Sequence, residues 1–228
     1  MRCLVRALFA LAVFLPSDSH AGPVVAISSC DQRIDARRAF LTNDLACGPN
    51  EAGVYMARGG ILELRGFSIT GSGGQGVQCY GSCRVIGPGS IEPAGYDGVT
   101  GDRVVRVVGV EIRGSARDGV EGRKVIVRDS LIESNAEHGI DADRVAKVRD
   151  SAITGNGENG VYVSNGNGKI FVRDSVVSGN GIASPPCGTE VSCADLNVGK
   201  HPKLRGDNTC GFWFNRAFDN FVDLCEPD

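Results

Sequence analysis

One apolar residue recurs through the chain, at Ile69, Ile91, Ile112, Ile132, Ile153 and Val177, with spacings of 22, 21, 20, 21 and 24 residues. Seven residues after each of the first five stands a glycine: Gly76, Gly98, Gly119, Gly139 and Gly160. A β-branched residue always follows it: Val77, Val99, Val120, Ile140 and Val161. Five residues before each anchor is another apolar side chain: Leu64, Ile86, Val107, Val127, Val148 and Val172. Self-similarity at this period restricts the chain to a solenoid, in which each unit buries its apolar side only against its neighbours. The segments are short, β-branched and period-two, and Gly and Asn break them, so each unit is a coil of strands and not a helix pair. Leucine is too sparse for a leucine-rich repeat. The expected fold class is all-β: a parallel β-helix of about six coils, stacked at roughly 4.8 Å per coil.

The register predicts further rows. Ser130, Ser151 and Ser175 stack as an inward hydroxyl ladder, and Asn135, Asn156 and Asn180 as an amide ladder. Arg128-Asp129, Arg149-Asp150 and Arg173-Asp174 form an outward charge ridge, read first as a solvated face, with a groove for anionic sugar as the alternative. Open solenoid ends need covering. Residues 22–60, with a short helix expected at Ala39-Phe40-Leu41, are read as an N-terminal cap, 61–181 as the repeats, and 182–228 as a Cys-rich C-terminal cap. The cluster Phe212, Trp213, Phe214, Phe218 and Phe221 is read as that cap's core.

Residues 1–21 read as a secretory signal peptide, with Arg2 and Arg6, an apolar run from Ala7 to Leu15, and small residues at Ser19 and Ala21. That run is too short to span a bilayer. The expected location is secreted or periplasmic. Cleavage removes Cys3 and leaves eight cysteines, whose even number in an exported chain implies disulfides. Clustering favours Cys30–Cys47, Cys79–Cys83, Cys187–Cys193 and Cys210–Cys225, although sequence does not settle connectivity. No CxxC with matching histidines occurs, so neither a metal site nor a cofactor is expected. The net charge of −3 is mixed in sign with no basic block, which argues against nucleic acid and anionic membranes as partners.

One slot changes from coil to coil. Six residues after the anchors stand Gln75, Asp97, Asp118, His138 and Asn159. Stacked, they bring Asp97, Asp118 and His138 together with Arg117, Glu121, Arg123, Glu137 and Asp141. Crowded carboxylates raise at least one pKa, as a general acid requires. The competing reading is turn chemistry, because Asp, Asn and His before Gly tolerate left-handed and bridge backbone.

The V-x-x-S-x-I-x-x-N…G-[VI] coil, together with C-x(16)-C ahead of Ile61-Leu-Glu-Leu-Arg-Gly-Phe-Ser-Ile-Thr-Gly71, resembles the secreted right-handed parallel β-helix proteins of the pectin-lyase-like superfamily over about residues 24–228. Asp97-Gly98, Asp118-Gly119 and His138-Gly139 on successive coils further resemble the polygalacturonase-type glycoside hydrolases. That resemblance implies an inverting pair of carboxyls at Asp97 and Asp118, assisted by His138. Gly95, Arg117 and Glu137 depart from the family pattern, in which Asn, Asp and Gly stand at these positions, and the expected Arg-x-Lys clamp is missing.

Gly71-Ser-Gly-Gly-Gln-Gly76 matches a dinucleotide fingerprint, but the same segment recurs as coil turns and no helix follows. Arg205-Gly206-Asp207 is read as a chance RGD. Three readings stay open: a non-catalytic recognition module with polysaccharide as the expected ligand, a divergent hydrolase or lyase using the Asp97/Asp118/His138 row, and a purely structural solenoid. The first is the expectation carried forward; oligomeric state is left open.

Overall fold

The computed structural model describes residues 23–92, 95–181, 195–198, 202–210, 212–215 and 220–223. These residues form strands and turns without a helix, wound into a parallel solenoid of about seven turns.

Each coil has three faces. The long face holds Arg38–Leu41, Gly60–Glu63, Cys83–Ile86, the second half of Val99–Val108, and Lys169–Arg173, among others. The second face holds Ser68–Thr70, Ser90–Glu92, Glu111–Arg113, Leu131–Glu133, Ala152–Thr154 and Val176–Ser178. The third face runs through Val54–Met56, Val77–Cys79 and Val161–Val163, and includes the first halves of the strands Val99–Val108, Val120–Arg128 and Ile140–Arg149.

Period-two alternation sends one side chain in and the next out. The anchor row pairs residue for residue, Ile69↔Ile91↔Ile112↔Ile132↔Ile153↔Val177, and is buried throughout. Val107, Val127 and Val148 form a second inward row. β-branched residues suit these positions because they pack on a pleated surface and have few rotamers to lose. Glycine at the +7 position is a matter of space: a Cβ on Gly119 would lie 2.6 Å from the Gly139 carbonyl oxygen and 2.6 Å from Ile132 Cγ2.

The polar ladders are present. Asn156 Oδ1 accepts the Asn135 backbone N–H (3.1 Å) and its side-chain amide (2.8 Å), and Asn180 does the same for Asn156. Ser130 Oγ donates to the Arg128 carbonyl at 2.6 Å and accepts the Val110 N–H at 3.2 Å; Ser151 and Ser175 repeat the pattern. The left-handed turn residue is not the Asn but the position before it, occupied by Gly71, Gly114, Ser134 (φ 56°), Gly155 and Gly179.

The N-terminal stretch differs from expectation. Arg38–Leu41 is a strand in parallel register with Val24–Ile27 and Gly60–Glu63, so Ala39-Phe40-Leu41 is not a helix. Residues 24–60 wind as coils themselves, which raises the turn number above six. Leu41 and Ala39 are buried and Phe40 and Arg38 point outward, the alternation of a strand that the local apolar run had obscured. Cys30–Cys47 and Cys79–Cys83 are disulfides. Cys187, Cys193 and Cys225, the side chain of Cys210 and the side chains of the aromatic cluster lie outside the described residues, as do residues 1–21. Phe212–Asn215 and Asn220–Asp223 form an antiparallel hairpin that ends the third face.

Candidate functional site

The changing slot occupies the corner between the second and third faces. Asp97 and Asp118 are 1% and 2% exposed and His138 is 9% exposed. Each side chain accepts the backbone N–H of the next coil's slot residue: Asp118 N–H to Asp97 Oδ1 at 3.3 Å, His138 N–H to Asp118 Oδ1 at 2.9 Å, and Asn159 N–H to His138 Nδ1 at 3.2 Å. Asn159 Oδ1 in turn accepts Asn197 Nδ2 at 3.2 Å. None of these residues has positive φ. The preference for Asp, His and Asn here follows acceptor placement, and of the two turn conformations expected the left-handed one is not adopted. An Nδ1 that accepts leaves the His138 proton on Nε2, which faces Glu158 Oε2 at 3.3 Å, while the ring stacks on Tyr162 at 4.5 Å between centroids.

Burial pushes the Asp118 carboxyl up to about 8, with Asp141, Asp97 and Glu137 adding repulsion against the opposing His138 amide bond. Asp97 is pushed up to about 6, first by burial and then by Glu121, while the Asp118 amide and Arg117 pull the other way. Glu158 is raised by burial and by Glu137. A buried carboxyl prefers its neutral form, because low dielectric penalises the charge.

The corner therefore gathers Asp97, Asp118, His138, Glu121, Asp141, Arg117 and Glu137, as the register predicted. Glu121 accepts from Thr100 at 3.0 Å, and Arg117 lies 3.7 Å from Glu137. Arg123 does not join them. It sits at the opposite corner, between the third and long faces, in a groove of ≈ 570 Å³ lined by Ser82, Arg103, Val104, Arg123, Lys124, Arg144 and Val145.

That groove borders a surface the sequence reading missed. The outward row of the long face reads Ile61, Arg84, Arg106, Ile126, Lys147, Phe171, Lys203. The row beside it carries Arg128, Arg149, Arg173 and Arg205. The first three of these arginines are held by the ridge aspartates, Nε to Oδ2, at 3.0, 2.8 and 2.8 Å. By contrast, Arg84, Arg106, Lys147, Lys203, Arg103, Arg123, Lys124 and Arg144 have no acid partner within 4 Å among the described residues. Carboxylates concentrate on the other side, at Glu121, Asp141, Glu137 and Glu158, and around Arg113, which lies 2.7, 3.6 and 3.8 Å from Glu92, Glu111 and Glu133. The separation of sign is partial, because the ridge aspartates Asp129, Asp150 and Asp174, and Asp102 and Asp143 at the Arg123 corner, stand beside the cationic row. The signal was present as alternation within each strand, as in Val105-Arg106-Val107-Val108 and Ala146-Lys147-Val148-Arg149, and becomes a surface only once the register stacks it.

These features define a class before a family: a parallel β-solenoid with inward polar ladders and one outward cationic face. The family model described as "Right handed beta helix region" matches residues 52–202, and the chain belongs to that family. No curated protein and no solved structure matches it. No helix among the described residues is long and apolar enough to cross a membrane, and the two disulfides are compatible with an extracellular location.

Proposed function

We propose that the protein is an exported, non-catalytic recognition module that binds acidic polysaccharide along its long face. The observation that carries this reading is the outward row Arg84, Arg106, Lys147 and Lys203, exposed and without acid partners among the described residues. Rows of a solenoid repeat at about the strand spacing, so a linear polyanion laid along the axis meets a cation on most coils. Phe171 is the one aromatic in the row from Ile61 to Lys203, too few stacking platforms for single-stranded nucleic acid. The apolar residues between the cations, Ile86, Val108 and Ile126, are half-buried and do not project as membrane anchors do.

A second reading keeps the acidic corner as a divergent glycoside hydrolase site. It is favoured by the elevated Asp118 and Asp97 carboxyls lying beside His138. Against it stands the burial of all three side chains and their engagement with backbone amides.

One experiment addresses both. Binding of mature protein to polygalacturonate, alginate and neutral dextran is measured by affinity electrophoresis, with reducing ends assayed in the same samples. Retardation by the acidic polymers alone, lost in Arg106→Glu/Lys147→Glu and kept in Asp118→Asn, is the expected result. Equal behaviour towards dextran, or no retardation at all, overturns the recognition reading. Reducing ends that appear with wild type and vanish with Asp118→Asn would install the hydrolase instead.

A further inference from the structure

The corner that holds Arg123 is shorter than its neighbours. Gly101, Gly122 and Ala142 pair on one side of it, and Val104, Lys124 and Val145 on the other. Between those pairs the three coils insert Asp102-Arg103, then Arg123 alone, then Asp143-Arg144. Further along, Ser164 to Gly168 intervene between Val163 and Lys169. A one-residue corner between longer ones makes a notch in the edge of the solenoid. Small residues at 101, 122 and 142 allow the bend: a Cβ on Gly122 would lie 2.9 Å from Val105 Cγ2.

Arg103, Arg123 and Arg144 come from three successive coils, and together with Lys124 they line this one groove. Asp102 and Asp143 share the corner yet make no ion pair with these cations within 4 Å. The four cations outnumber the two carboxylates at this corner, and a bound anion relieves their mutual repulsion. A carboxylate is planar and is matched by a single guanidinium fork. Three guanidinium forks from three coils, with an ammonium beside them, supply more donors than one planar carboxylate engages. That arrangement suits a group with three terminal oxygens on one centre.

We infer that the notch round Arg123 is a binding site for a tetrahedral oxyanion ester, a sulfate or phosphate monoester borne on a sugar. The inference rests on the polysaccharide reading only for what carries the ester. It refines that reading by separating two ligand elements, uronate-like charge along the long face and an ester group at the corner.

The test uses the intact mature protein and small probes, so the two ideas can fail separately. Glucose 6-sulfate, glucose 6-phosphate and glucuronate are titrated by isothermal calorimetry against wild type, Arg123→Gln and Arg144→Gln. All three arginines are exposed, and thermal melts verify that the variants fold. The expected result is that at least one ester binds about tenfold more tightly than glucuronate. Arg123→Gln and Arg144→Gln should each weaken that ester by about tenfold while changing polygalacturonate retardation by less than about twofold. The two ester probes show which centre, sulfur or phosphorus, the notch prefers. Glucuronate binding as tightly as both esters overturns the site, and so does ester affinity untouched by Arg123→Gln. Ester binding without polygalacturonate retardation removes the long-face reading and leaves the notch standing.

Discussion

The buried Asp118 makes a prediction whose sign is opposite to that of most carboxylates. An unfolded aspartate titrates near 3.9. In the folded protein this carboxyl sits at about 8, because burial and the charges of Asp141, Asp97 and Glu137 outweigh its bond from the His138 amide. A raised folded value means that the native state holds the proton more tightly than the unfolded state does. Its contribution is fully present below about pH 4 and is lost as pH rises towards 8. Over about four units at about 1.4 kcal/mol each, the loss totals on the order of 5–6 kcal/mol, nearly all of it reached by pH 8. Asp118→Asn keeps an acceptor for the His138 amide, as Asn159 keeps one in the same slot two coils on, and cannot ionise. The variant should match wild type near pH 4 and exceed it by about 5 kcal/mol at pH 8, a Tm difference of roughly 10–20 °C. Urea unfolding and thermal melts at pH 4, 6 and 8 measure this. A gap between the two proteins that does not change with pH refutes the argument. Wild type the more stable at pH 8 does so more strongly, since it would mean that an ionised Asp118 is held by the amide.

Gly119→Ala should cost about 3 kcal/mol or more, because its Cβ has no space between the Gly139 carbonyl and Ile132; a chemical melt within about 0.5 kcal/mol of wild type would contradict the packing. Asn156→Ala removes the acceptor for two donors of Asn135 and the donor to Asn180, and should cost about 2–4 kcal/mol in the same melt. In unreduced, guanidine-unfolded protein, dithiobis-nitrobenzoate should find no thiol from Cys30, Cys47, Cys79 or Cys83. Peptide mapping assigns any signal, and labelled Cys30 or Cys79 would contradict those pairs.

The fold was legible because it is periodic. Six copies of the Ile132-type anchor, the first five followed by its glycine, carry one register, and a slip of one residue would turn every core valine outward. The two disulfides nearest the N-terminus followed from the clustering of the cysteines along the sequence. The helix at Ala39-Phe40-Leu41 failed because the anchor pattern does not extend to that coil, so the local apolar run was read without its neighbours. The acidic corner was legible as a gathering of residues but not as a geometry. Whether Asp118 opens to solvent or turns onto the His138 amide depends on side-chain direction at a bend, which spacing does not encode. The cationic face was missed because composition averages over the surface. Arg106 and Lys147 are separated by two coils of mixed-sign sequence, and their neighbourhood exists only across coils.

The two corners show how one repeat can serve both stability and recognition. At the corner before the third face the slot residue turns inward, and each coil's acceptor holds the next coil's N–H. A substitution there breaks a bond between coils, and its effect should appear in stability before it appears in binding. At the corner after the third face, Arg123 is exposed and is bonded to no neighbouring side chain among the described residues, so the coil length can change from one residue to five without disturbing the ladders. Variation in corner length is therefore tolerated where it shapes a surface groove, and excluded where Gly119 and Asn135 close the stack. On this argument the recognition chemistry we propose belongs to the long face and its Arg123 corner. The Asp97–Asp118–His138 row, the more conspicuous in sequence, accepts the backbone N–H of each following coil.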